Sequence, residues 1–368
     1  MQTLTTKTAI LGYKTRNIGD DLQSFSLLNV SPTVDAIVDR DCLADAYLAT
    51  DHRIVLNTWF KLGNDNRSPN KRLKPIFYGF ALGDEGILDT KLKDYLKAHE
   101  PIGCRDTWTV ERLTDAGISA YWTACTSIFA GRFIEAVSKS RKGIYNVDVP
   151  SDFLRQYAPE NVLSKLTSFS NHVPPAGQFD QLHRFSLVHR LLQRLSTAEL
   201  VITRRLHIAL PCIGLGTPVV YIPDERLSFS RRRASGVEKM IPIYFQSDVD
   251  SGLKIDWNPV PGTIHEDVLK AYEDLKTTLD ASNSVNMKGE TREFLRLKNL
   301  RFGNRPGRVY FSMPGLDREL RIDYSCDKYI ETDVRTFPGI SRFTAKILNE
   351  ANGSFSRPSV GSLQKLII

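Results

Sequence analysis

Residues 199–222 read ELVITRRLHIALPCIGLGTPVVYI, and this stretch decides the fold class. LVIT at 200–203 is a short apolar, β-branched run bounded by charge, and PVVYI at 218–222 is another; the segment between them is apolar and broken by Gly214 and Gly216. The pattern predicts a strand, a crossover helix and a second strand. In open parallel sheets ligands sit beyond the carboxyl ends of the strands. Arg204, Arg205 and His207 therefore fall at the expected mouth of a cleft, with the positive end of a helix behind them. An arginine or histidine at a strand end also serves to cap a neighbour or pair with a buried carboxylate. Three donors within four residues, between elements too apolar to need them for solubility, favour an anion site.

Strand signals precede this unit at 9–13, 54–59, 76–82 and 120–122, with helical stretches near 20–29, 90–99 and 106–116. A second series begins with GIYNVDV at Gly143 and continues through 166–170, 200–203, 219–222 and 241–245. Leu182, Phe185, Val188, Leu192 and Leu195 keep one face of a helix between them. Two successive α/β halves predict two Rossmann-like, doubly wound domains, residues 1–135 and 136–282, facing each other across a cleft. Ile264, Val268, Leu269, Tyr272, Leu275 and Leu279 mark a closing amphipathic helix. Residues 283–368, where Gly and Pro recur among short runs such as 308–312 and 320–324, read as a small β-rich or irregular appendage.

At 368 residues the chain is long for one core, which agrees with two domains. Its net charge of +7 is uneven: residues 286–368 hold 15 Lys+Arg against 9 Asp+Glu, or +6 of the total. The tail therefore points to an acidic partner. No run approaches the ~20 apolar residues of a membrane span, and MQTLTTKTAILGY lacks a signal-peptide core, so a cytoplasmic location is expected. The five cysteines are scattered and never form CxxC, which argues against a disulfide framework or a zinc site. Cys212 reads as helix packing.

Other candidates cluster at predicted strand ends. The loop KTRNIGDDLQS, 14–24, offers Asn17 and Gly19 as substrate contacts, and Asp20 or Asp21 as helix cap, leaving the other to face the cleft. One glycine is far from a dinucleotide fingerprint. GCRDTWTVERLTDAGI, 103–118, places Arg105 before a helix capped by Asp106 or Thr107, on the wall opposite Arg205 and His207. The run Arg231 to Arg233 follows the 219–222 strand, which returns it to the same sheet edge, and Lys239 just beyond it is the candidate phosphate contact. His183 and His189 read as solvated, on a largely polar helix face.

NIGDD near the start, GCRD followed by a helix and AGI, and VITRRLH with GLGTPVVYI resemble the bacterial polysaccharide pyruvyl transferases over about residues 8–248. The most specific element is the Arg205–Leu206–His207 triplet. The resemblance implies a GT-B-like fold and transfer of pyruvate from phosphoenolpyruvate to a sugar as a ketal. It also implies that Arg105, Arg205 and His207 hold the donor's carboxylate and phosphate. Many members carry Asp-Pro where this chain has Ala124, Cys125 and Thr126, so no role carries over there.

The chemistry suits these residue types independently, because arginine's planar fork binds carboxylate and phosphate bidentately. The reaction needs an acid and a base but no metal or organic cofactor. His207 is the candidate acid or phosphate ligand, and Asp20 or Asp21 the candidate base for the hydroxyl. The partners expected are phosphoenolpyruvate and a glycan or lipid-linked saccharide, with peripheral membrane association at the inner face through the basic tail and no nucleic acid. Two rivals differ in what they bind. A nucleotide-sugar glycosyltransferase of the same architecture would need a base pocket, and a nonenzymatic polyanion-binding protein would need no interdomain cleft.

Overall fold

The computed structural model describes residues 7–30, 34–46, 48–60, 69–134, 141–172 and 181–281, together with four strands between 300 and 332. The first series runs β1 (Lys7–Gly12), α1 (Gly19–Leu27), β2 (Ala36–Asp39), β3 (His52–Leu56), β4 (Trp59–Phe60), β5 (Leu73–Phe77), β6 (Ala81–Leu82), α2 (Thr90–Lys97), β7 (Ile102–Cys104), α3 (Thr107–Asp115) and β8 (Ala120–Trp122). Its strands pair in parallel, in the orders β2-β1-β3-β5, β4-β6 and β7-β8. The strand expected over 76–82 is split into β5 and β6, because Gly79 turns the chain through the left-handed region (φ 72°).

A 3-10 segment, Thr126–Phe133, leads to the second series: β9 (Ile144–Val147), α4 (Ser151–Tyr157), α5 (Glu160–Leu163), β10 (Leu166–Phe169), α6 (Gln181–Ser196), β11 (Leu200–Thr203), α7 (Leu206–Gly214), β12 (Val219–Tyr221), α8 (Ser230–Ala234), α9 (Gln246–Asp250) and α10 (Glu266–Ala281). These strands form a parallel sheet in the order β10-β9-β11-β12. β11, α7 and β12 are the strand, helix and strand expected over 199–222. β11 lies between two neighbours and is buried along its whole length, as an unbroken apolar β-branched run requires. The expected strand at 241–245 is reduced to one bridge, Ile243 to Tyr221; Pro242 beside it has no N–H to offer a ladder.

α7 is buried on every side, from Leu206 to Ile213. It packs on the 126–133 segment, α1 and α6, so the largest apolar cluster joins Phe25, Val55 and Phe129 of the first series to Phe185, Cys212 and Tyr272 of the second. Two charged side chains reinforce this junction. Arg184 of α6 donates from Nε and Nη2 to the two carboxylate oxygens of Asp21 at 2.9 and 2.5 Å, and both residues are fully enclosed. His189, one turn further along α6, is buried as well, which corrects its reading as solvated; the helix lies between layers and has little water-facing surface there. The side chain of His183 lies outside the described residues.

In the tail, β13 (Leu300–Phe302), β14 (Arg308–Ser312), β15 (Glu319–Tyr324) and β16 (Tyr329–Thr332) form an antiparallel sheet in sequence order. Among the described residues no helix is long and apolar enough to cross a membrane.

Candidate functional site

At the carboxyl end of β11 the chain is fixed by two bonds: Thr203 Oγ1 donates to the Val147 carbonyl at 3.2 Å and accepts from the Arg205 amide at 2.9 Å. Arg205 is the extended residue at the N-terminus of α7, which puts His207 in the first helical turn, where backbone N–H groups lack intrahelical acceptors. Arg205 Nε donates to Asp148 at 2.8 Å, and Arg204 Nη2 lies 3.5 Å from Asp224. Asp148 sits at positive φ (64°), a strained position that aims its carboxylate at Arg205. Together with Asn17, His207, Tyr221, Phe229 and Arg233, these residues line an open cleft.

The first-strand loop meets this wall directly. Asn17 forms a bridge with His172, and the Ile18 amide donates to the Asn171 carbonyl at 3.1 Å. Gly19 permits the approach, because a Cβ there would stand 2.8 Å from His207 Cβ and 2.9 Å from Asn17 Oδ1. Neither Asp20 nor Asp21 caps α1. Asn17 Oδ1 accepts from the Gly19 amide at 3.0 Å instead, and both aspartates lie in the first turn. They then diverge. Asp21 points to Arg184 and away from the cleft, so its expected role as base does not hold: both its oxygens are engaged in a dry ion pair. Asp20 accepts from Thr15 Oγ1 at 2.7 Å and stands 3.5 Å from His207 Nδ1 and 3.7 Å from Arg40 Nη1.

His207 is 3% exposed; its Nδ1 faces Asp20 and its ring stands beside the Cys125 thiol, although neither nitrogen closes a hydrogen bond of normal geometry. Burial opposes a charge on its ring, but the Cys125 thiol and the Asp20 carboxylate outweigh burial and raise the imidazole pKa above its ordinary value. Burial would likewise raise Asp20, yet His207, Arg40 and Thr15 together hold it well below the usual carboxylate range. An anion held so firmly is a weak proton acceptor and suits orienting His207 better than deprotonating a hydroxyl. Cys125 is fully buried beside His207, whose charge lowers the thiol pKa against the effect of burial, with Arg105 adding to it.

Arg105, 7% exposed, occupies a smaller compartment lined also by Trp59, Asp106, Trp108, Phe229 and Arg233. Asp106 caps α3, accepting from the Thr109 amide at 2.8 Å. Lys239 does not join this group: it is exposed, with its ammonium 5.0 Å from the centre of the Trp122 ring. The cleft residue from that region is Arg233. Residues 231–233 are consecutive on a helical turn and point in different directions: Arg231 pairs with Glu225 and Asp248, Arg232 lies over Trp108, and Arg233 turns inward. No sequence signal distinguishes three adjacent arginines unless the start of the helix is known. Cys125 and Asp148 carried no signal either, since each acts through a partner far along the chain. Among the described residues no group of three or more His, Cys, Asp or Glu side chains is placed to hold a metal ion.

Residues 45–225 match the family described as polysaccharide pyruvyl transferase. That polysaccharide pyruvyl transferase domain contains Arg105, Cys125, Arg204, Arg205 and His207, whereas Asn17, Gly19 and Asp20 precede it and Arg233 follows it. It bears out the family resemblance seen in the motifs. No curated protein matches the chain. Among solved structures, a functionally uncharacterised protein from Klebsiella pneumoniae subsp. pneumoniae aligns at 13% identity and a TM-score of 0.38, covering 63% of this chain and 92% of that one. The wall teichoic acid polymerase TagF aligns at 9% identity and a TM-score of 0.24, covering 76% of this chain and 85% of that one.

Proposed function

We propose that this chain transfers pyruvate from phosphoenolpyruvate to a pair of hydroxyls on a saccharide acceptor as a cyclic ketal, in a GT-B-like cleft between its two α/β halves. The observation that carries this reading is the meeting in one cleft of His207, held by Asp20, with the Arg204–Arg205 wall, the histidine and both arginines falling in the span that matches the pyruvyl transferase family. Phosphoenolpyruvate offers two oxyanions, and Arg205 and Arg105 supply guanidinium forks for them.

His207, kept protonated by its neighbours and oriented by Asp20, gives a proton to the methylene carbon of the donor, which becomes the ketal methyl group. The carbon bearing the phosphate becomes electron-poor and is attacked by one sugar hydroxyl. The second hydroxyl displaces phosphate and closes the ring. Of the two hydroxyl protons released, one restores His207 and the other leaves with phosphate. No metal or organic cofactor enters this scheme. The basic tail serves an acidic acceptor, a glycan or lipid-linked saccharide, at the inner face of the membrane.

The test is phosphate release from phosphoenolpyruvate in the presence of candidate glycans, with the ketal identified by mass. Acceptor-dependent release that is lost in Arg205→Ala supports the reading. A thermal shift with a nucleotide sugar and none with phosphoenolpyruvate would favour glycosyl transfer instead.

A further inference from the structure

We infer that Arg105 and Arg233 form an oxyanion subsite, beside the His207 cleft, that takes one of the donor's two charged groups, carboxylate or phosphate. Phe229 and Arg233 line both compartments, so the two adjoin and one extended ligand can touch both. Nε of Arg105 and Nε of Arg233 are each buried without a hydrogen-bond acceptor. A guanidinium nitrogen withdrawn from water and left without an acceptor is a costly arrangement, and a bound oxyanion is a direct way to satisfy it.

The counter-charge present is too small. Asp106 lies 3.8 Å from Arg105 Nε, beyond hydrogen-bonding distance, and already accepts from the first turn of α3. Arg233 has no ion pair among the described residues, and its guanidinium lies 5.7 Å from the centre of the Trp59 ring. Two guanidiniums thus share one distracted carboxylate, whereas Arg205 has Asp148 at 2.8 Å and Arg204 shares Asp224 with the exposed Arg226. Consistent with this, burial and then the charge of Arg105 lower the pKa of Arg233.

The two arginines are also held in register. The Thr107 amide donates to the Ser235 carbonyl at 3.3 Å and the Trp108 amide to Ser235 Oγ at 3.0 Å, which locks the start of α3 to the end of α8. The compartment between them is narrow, so an oxyanion entering it would lie against both forks. The identity of the ligand rests on the donor reading above; the subsite itself does not.

The experiment measures binding of inorganic phosphate, pyruvate and phosphoenolpyruvate, by calorimetry at constant ionic strength, to the full chain and to Arg233→Met and Arg233→Lys. Arg233→Met should lose at least ~10-fold in affinity for phosphoenolpyruvate and for one of the two fragments, which names the group bound there. Lysine, lacking the fork, should recover only part. Ligand-free Arg233→Met should melt no lower than the parent, since the change removes an uncompensated charge. Unchanged affinities overturn the subsite, as does failure of every probe to bind the parent. A ligand-free Arg233→Met that melts several degrees lower also overturns it, by making Arg233 a structural brace. If phosphate binding depends on Arg233 while phosphoenolpyruvate binds no better than phosphate, the subsite stands and the donor reading falls.

Discussion

Gly19 and His207 set the tolerance of the site at the scale of single residues. A methyl group at Gly19 would meet His207 Cβ at 2.8 Å, an atom fixed to the helical backbone of α7, so the starts of α1 and α7 must separate. Gly19→Ala should cost roughly 1–3 kcal/mol in stability by overpacking and reduce turnover more than donor affinity. Denaturation and steady-state kinetics check this, and unchanged turnover would show that the contact does not position His207. His207 supplies a pH prediction. Its pKa is raised, so the protonated ring persists to higher pH, and activity that needs it is present below that pKa and lost as pH rises through it. The falling limb of kcat should therefore lie above the ordinary imidazole value of about 6.5, and Asp20→Asn should move it to lower pH. A limb that stays in place would exclude Asp20 as the residue that tunes His207. The TRRLH motif made the arginines and His207 legible because β-branched strand, charge and apolar helix follow one another without a gap. The separate fates of Asp20 and Asp21 were not legible, since Arg184 lies 163 residues from Asp21.

Elements behave differently, because what α6 and α7 require comes from both halves of the chain. The pattern of Leu182 to Leu195 located the helix, but a face that is polar in sequence still becomes interior when a second layer covers it, as at His189. Burial lowers the His189 pKa to about 4. As pH falls from about 6.5 to 4, the unfolded chain takes up a proton that the folded chain refuses, so stability falls by roughly 3 kcal/mol over that window. His189→Leu should flatten the acid side of the stability profile by that amount in denaturation at pH 7 and pH 4; an unaltered difference would place the titration elsewhere. At the far end of α7, a Cβ on Gly214 would collide with the Ile128 carbonyl oxygen. Gly214→Ala should cost about 3 kcal/mol or more, at the upper end of overpacking, read as a fall in denaturation midpoint. Sequence spacing could mark Gly214 only as a helix breaker, because Ile128 arrives from the 126–133 segment with no local signature.

Across the whole molecule, the charge surplus and the candidate site occupy different parts of the chain: +6 of the net +7 falls within residues 286–368, beyond the span matching the pyruvyl transferase family, which ends at 225. On the proposed reading the cleft's arginines hold the donor, and the tail's charge would then serve an acidic acceptor. Exposed charges are screened over ~8 Å at physiological salt, whereas contacts inside the cleft are screened less. The KM for an anionic acceptor should therefore rise steeply between low and physiological salt while phosphoenolpyruvate affinity changes little. Truncation after Ser284, which removes the β13–β16 sheet, should raise the acceptor KM several-fold, abolish most of its salt dependence and leave donor affinity within about twofold of the full chain, if each lost cation contributed a weak, additive attraction. Kinetics of the two proteins across a salt series separate this from a purely structural tail. A truncated chain that is insoluble or melts lower, and whose soluble fraction shows no selective acceptor defect, would assign residues 285–368 to bracing the α/β body and remove them from acceptor recognition.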